Sequence, residues 1–157
     1  MGIKPKFGNG AVKVEVSLFA ERLENMVVFA LSAFGEELAK YAKERHTYQD
    51  QTGNLTNSIG YAVVKRGKIV ESGGEIQPGE GFEEMMKVAQ RLASTLTNSF
   101  SLIIIAGMNY AAYVEAKGYN VILPAELKAK KDFPSVMERI RKAANKKSKE
   151  MFGKELL

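Results

Sequence analysis

The chain has 157 residues, 45% of them hydrophobic and 26% charged, the size and balance of one folded domain that buries a core of its own. It carries no cysteine and a single histidine, His46, which excludes disulfide scaffolds, zinc knuckles, iron–sulfur sites and thiol nucleophiles. The net charge of +5 is unevenly placed: residues 126–157 hold ten Lys or Arg against five Asp or Glu, while the upstream charges cancel.

In chain order, residues 1–12 carry Pro5, Gly8 and Gly10 and read as a flexible N-terminal arm. From Val14 to about His46 apolar residues recur every three or four positions, through Val16, Phe19, Leu23, Leu31, Phe34 and Leu38. That spacing predicts one long amphipathic helix, with a bend expected at Gly35. Straight, it would measure about 50 Å at ~1.5 Å per residue. A globule of this size is only about 40 Å across. The helix is therefore expected to protrude, to bend, or to be covered by a neighbouring subunit. Asp50, Thr52, Gly53 and Asn54 form a turn, and one helical turn is expected over 55–58. A hairpin follows, with strands at 59–66 and 69–72 joined through Arg66-Gly67-Lys68. Residues 73–81, with four glycines and Pro78, read as a flexible loop. A second helix is predicted over 82–97, a buried strand over 101–108 and a short helix over 109–117 stopped by Gly118. A last strand is predicted over 119–123, broken by Pro124. Pro134 then suits the first turn of a basic C-terminal helix, giving a segment 134–157. The order implies a single α+β domain over 1–157. Its mainly antiparallel sheet of about four strands packs with the long N-terminal helix, the middle helix and the C-terminal helix.

Candidate chemistry is sparse. The Glu36-Glu37 and Glu83-Glu84 pairs are adjacent in a helix and do not face one another, so no metal site is expected. The glycine-rich stretch 72–81 lacks the Gly-Lys-Ser/Thr ending of a phosphate loop and carries Glu75 and Glu80, which repel phosphate. With one histidine and no G-x-S-x-G motif, no nucleophilic triad assembles. Asp50 and Glu115 are the only acid–base pair worth naming, and no cofactor is implied. No apolar run, Leu102–Ala106 included, approaches the roughly 20 residues of a membrane span. Glu15, Glu21 and Glu24 interrupt any secretory leader. On the last helix Arg139, Arg141, Lys142, Lys146, Lys147 and Lys149 supply sequence-independent attraction for DNA phosphates or an acidic partner. Aromatic stacking platforms are missing beside them.

Two segments have a recognisable form. The first runs Tyr48-Gln49-Asp50-Gln51-Thr52-Gly53-Asn54-Leu55-Thr56-Asn57-Ser58-Ile59. The second runs Met108-Asn109-Tyr110-Ala111-Ala112-Tyr113-Val114-Glu115-Ala116-Lys117-Gly118-Tyr119. Together and in this order they resemble the Tyr-x-x-x-Thr-Gly-x-Leu-x-x-Ser-Ile and Tyr-Ala-x-Tyr-Val-Glu-x-Gly elements of the tail-completion, or neck, proteins of long-tailed bacteriophages. The second element carries one extra residue before its glycine. The resemblance covers about residues 14–150. It implies a non-enzymatic virion protein of a phage or prophage, oligomerising, in a ring, where head connector and tail meet, and assembled in the bacterial host cytoplasm. The segment 73–81 is longer and richer in glycine than that family leads one to expect. Asp50, Thr52, Gly53, Leu55, Ser58, Tyr110, Tyr113, Val114, Glu115 and Gly118 are the candidate motif and interface residues. Taken on the residues alone, Leu55 and Ile59 anchor a tight turn, and Tyr110, Tyr113 and Val114 share one helical face. The alternative is a nucleic-acid-binding module built on the basic helix.

Overall fold

A computed structural model describes residues 9–74 and 77–155 of the chain. Helix α1 (Asn9–Glu44) is followed by the single turn α2 (Asn54–Asn57). Strands β1 (Ile59–Lys65) and β2 (Lys68–Gly73), helix α3 (Glu80–Ala93) and strand β3 (Ser101–Ala106) come next. Helices α4 (Ala111–Ala116) and α5 (Leu123–Phe152) complete the order. Fold class α+β stands, with three antiparallel strands among the described residues, in the order β2-β1-β3, where about four were expected.

The sheet has a roof on each face. Tyr61 and Val63 of β1 pack with Leu31 of α1, joined by Leu102 and Ile104 of β3. On the other face Ala62 and Ile105 pack with Met85 and Ala89 of α3. Register agrees with this alternation, since Tyr61 pairs with Ile104 and Ala62 with Ile103. A strand roofed on both sides needs apolar residues at every position, which is why Ile59-Gly60-Tyr61-Ala62-Val63-Val64 is buried throughout. Arg66 and Gly67, both at positive φ, close the tight β1–β2 hairpin.

Helix α5 packs on the outer side of α1, making a fourth layer. Phe19 meets Phe152 edge-on at 5.0 Å, and Phe34 meets Phe133 at 6.4 Å, so the two helices run antiparallel. Lys128 ties the pair together by bridging Glu37 of α1 at 2.8 Å and Asp132 of α5 at 2.7 Å. The hydrogen bond it donates to Asp132, then that to Glu37, holds its ammonium well above the ordinary lysine range.

Several expectations need correction. Helix α1 already includes Asn9–Val12, which had been assigned to the flexible arm; residues 1–8 lie outside the described residues. Gly35 does not interrupt α1. Its lack of a side chain admits the Tyr61 ring, because a Cβ there would lie 2.4 Å from Tyr61 Cδ2. The loop assigned to 73–81 is shorter, since Gly73 ends β2 and Glu80 begins α3; Glu75 and Ile76 lie outside the described residues. Helix α3 stops at Ala93, short of Thr97, because the Ser94 and Thr95 hydroxyls donate back to the Arg91 and Leu92 carbonyls. The strand expected over 119–123 does not form: the N–H groups of Val121, Ile122 and Leu123 are taken by the Glu115 side chain and that of Asn120 by Thr47, and Val121 plugs the α1–α5 core. Pro124 sits in the first turn of α5 rather than ending a strand. Pro134 lies inside α5 and removes one intrahelical bond. Burial of Val136 and Ile140 against α1, with the Phe34–Phe133 contact, offsets that loss.

Candidate functional site

The two motif segments, fifty residues apart, meet at Ser58. Its side chain is fully buried. The Ser58 hydroxyl donates to the Leu55 carbonyl at 2.8 Å and accepts from the Met108 N–H at 3.3 Å. Ser58 C=O also accepts from Gly107 N–H at 3.1 Å. One serine thus closes turn α2 and fastens it to the entrance of the second motif.

The rest of the first motif builds that turn. Gly53 precedes α2 at φ 75 with open space around it, so the left-handed backbone, not packing, selects glycine. The Thr52 hydroxyl accepts from Asn54 N–H at 3.3 Å, and Asp50 Oδ2 accepts from Thr56 N–H at 2.7 Å. Leu55 is buried in the main core beside Leu38 and Ile59. Asn57, not singled out in the sequence, clamps the β2–α3 connection by donating to Gln77 C=O and accepting from Gln77 N–H, each at 2.8 Å. Asn54 Nδ2 donates to Glu80 at 2.7 Å, and Lys43 reaches Gly74 C=O. The spacing Asn54-x-x-Asn57 on one helical turn is the only sequence signal for this clamp.

In the second motif Glu115 does the most. Its Oε1 accepts from the N–H groups of Val121, Ile122 and Leu123, at 3.2, 3.2 and 2.7 Å. A carboxylate on α4 therefore caps the start of α5, where the orphan N–H groups and the helix dipole favour negative charge. Gly118, at φ 88, turns the chain back so that this contact is reached. Val114 packs against the main core. Tyr113 is 64% exposed, with Lys117 Nζ 5.2 Å from its ring centroid. Tyr110 and Tyr119 are also exposed, and Tyr119 lines one surface pocket with Tyr113, a pairing the sequence pattern had not assembled. Burial, then the charges of Asp50 and Glu80, raises the Tyr110 hydroxyl above the usual tyrosine range. Burial also raises that of Tyr48, whose hydroxyl lies 3.1 Å from Thr56 Oγ1.

Asp50 is thus engaged with the Thr56 N–H of turn α2, and Glu115 with three N–H groups at the start of α5. No group of three or more His, Cys, Asp or Glu side chains is arranged to hold a metal ion among the described residues. Several cations of the basic helix are paired with nearby carboxylates. Arg141 makes a bidentate pair with Glu138 at 2.9 and 2.8 Å, and Lys142 approaches the same carboxylate at 3.8 Å. Lys147 pairs with Glu150 and Lys149 with Glu155. Arg139 and Lys146 are exposed and form no ion pair among the described residues.

Comparison with protein-family models, curated proteins and solved structures gave no match to this chain.

Proposed function

We propose that this chain is a non-enzymatic structural subunit of a phage or prophage virion, oligomerising at the junction of head and tail. The observation that carries the reading is the use of the motif side chains. Ser58, Asp50 and Glu115 are spent on backbone groups, where they fix turns and the start of α5. A rigid seat of this kind suits a protein whose task is geometric. Repeated contacts with a fixed rotation per subunit close into a ring. The exposed tyrosines beside that seat have the composition of a protein-binding surface. Head-connector and tail proteins are the proposed neighbours. The basic face of α5 would line the passage taken by DNA, or meet an acidic neighbour.

The nucleic-acid module is the weaker reading, because four of the six named cations already face carboxylates. Electron microscopy of particles from a phage or prophage whose copy of this gene is deleted tests the proposal. Filled heads and separate tails are expected, with joined infectious particles restored by the gene in trans. Normal joined virions from the deletion would overturn it.

A further inference from the structure

The two edges of the sheet are not alike. Strand β2 carries Lys68 and Glu71 at exposed positions, and its pairing with β1 slips at Val63/Val64. Charge and irregularity of this kind discourage strand addition. Strand β3, Ser101-Leu102-Ile103-Ile104-Ile105-Ala106, has neither charge nor proline and pairs with β1 without a register break. Its backbone hydrogen bonds among the described residues run to β1 alone. Although α1 and α3 roof its two faces, five of its six residues are only half-buried, so the exposure comes from the open edge.

We propose that this edge is a docking site for the β3 strand of a second copy, forming an antiparallel, twofold-symmetric six-stranded sheet. An added strand would lie beside two roofs, so it must be apolar on both of its faces. Within this chain β1 is internal and β2 is guarded, whereas β3 meets the requirement and has a free edge. Self-pairing also brings no like charges together. A twofold axis normal to the sheet keeps α1 of both copies on the same face. Residues facing one another across the axis must then share a face, which puts the axis through Ile103 or Ile104 and not between them. The contact uses up its own edge and stops at two copies. It does not depend on the virion reading.

The chain has no cysteine, so single-cysteine variants of the full chain report the contact directly. Ser101→Cys, Ile103→Cys, Ile104→Cys and a β2 control, Val70→Cys, are oxidised under mild conditions after circular dichroism confirms folding. Copies of one residue separate by about 7 Å for each step away from the axis, and a disulfide needs Cα atoms within about 7 Å. Cross-linking is therefore expected at Ile103 or Ile104, falling to background at Ser101 and Val70. Sedimentation of the unmodified chain is expected to show a discrete dimer, with Ile104→Lys raising the dissociation constant at least about thirtyfold. A chain that stays monomeric at about 200 μM, open-ended aggregates, or equal cross-linking along β3, as parallel pairing gives, would each overturn the proposal.

Discussion

Replacing Glu115 tests the link between the second motif and the fold. One carboxylate oxygen accepts three N–H groups at the start of α5. Hydrogen bonds to a charged group contribute about 1.5–3 kcal/mol each. Two of the three are long and all share one atom, so their sum is closer to one and a half full bonds than to three. The helix dipole adds roughly 0.5 kcal/mol. Glu115→Ala should then cost about 3 kcal/mol, read as a lower urea midpoint at unchanged m-value. At about 2–4 °C per kcal/mol for a domain of this size, Tm falls by about 6–12 °C. Glu115→Gln keeps an acceptor oxygen and loses the charge, so it should cost only about 1 kcal/mol. A loss below about 0.5 kcal/mol for the alanine variant, or equal losses for Ala and Gln, would show that Glu115 does not hold α5 in this way.

Gly35→Ala should destabilise by about 1–3 kcal/mol through collision with Tyr61, although alanine is the better helix former by about 1 kcal/mol. A double-mutant cycle with Tyr61→Ala checks it, and strict additivity would contradict the packing. Ser58→Ala leaves the buried Met108 N–H without its acceptor and should cost about 1–3 kcal/mol by urea unfolding. Glu24 accepts a hydrogen bond from Lys65, which holds its carboxyl below the usual 4.5. A lowered native-state pKa contributes stability above pH 4.5 that is lost as the pH falls through the native value. The stability gap between the native chain and Glu24→Gln should therefore shrink below pH 4.5 in pH-dependent thermal melts.

The long helix, the hairpin, α3 and β3 were legible because their signals are local: a three-to-four-residue apolar period, an Arg-Gly turn and an unbroken aliphatic run. What escaped was decided by distant partners. Tyr119–Ile122 has strand-like side chains, yet the Val121 and Ile122 N–H groups are claimed by Glu115 on the preceding helix and that of Asn120 by Thr47, which no local pattern announces. Pro134 looked like a helix start because propensity alone rules it out of an interior; the burial of Val136 and Ile140 on α1 outweighs that rule. The turn at Thr52-Gly53 and the stop at Gly118 were legible as backbone positions that favour glycine. That Ser58 joins them needed the sheet, which carries Ile59 beside Ala106 and so brings Met108 within reach.

A twofold contact through β3 cannot by itself close a ring, because each copy spends the same patch on its one partner. A ring under the proposed virion role therefore requires a second, heterologous surface, and the layering leaves one available. The α1–α5 pair lies on the far side of the sheet's roof from α3. Its groove is lined by Met26, Ala30, Val136 and Ile140, with Phe29 beside it 77% exposed. Further along α1, Val12, Val14 and Val16 are each more than half exposed, and Phe19, four residues before Leu23, is the last side chain held by α5 at Phe152. Bare valines on a helix add little to its own stability, since β-branched residues are mediocre helix formers. Under the proposed virion role, the sheet edge would make the twofold pair and the helix pair would set the rotation from one pair to the next.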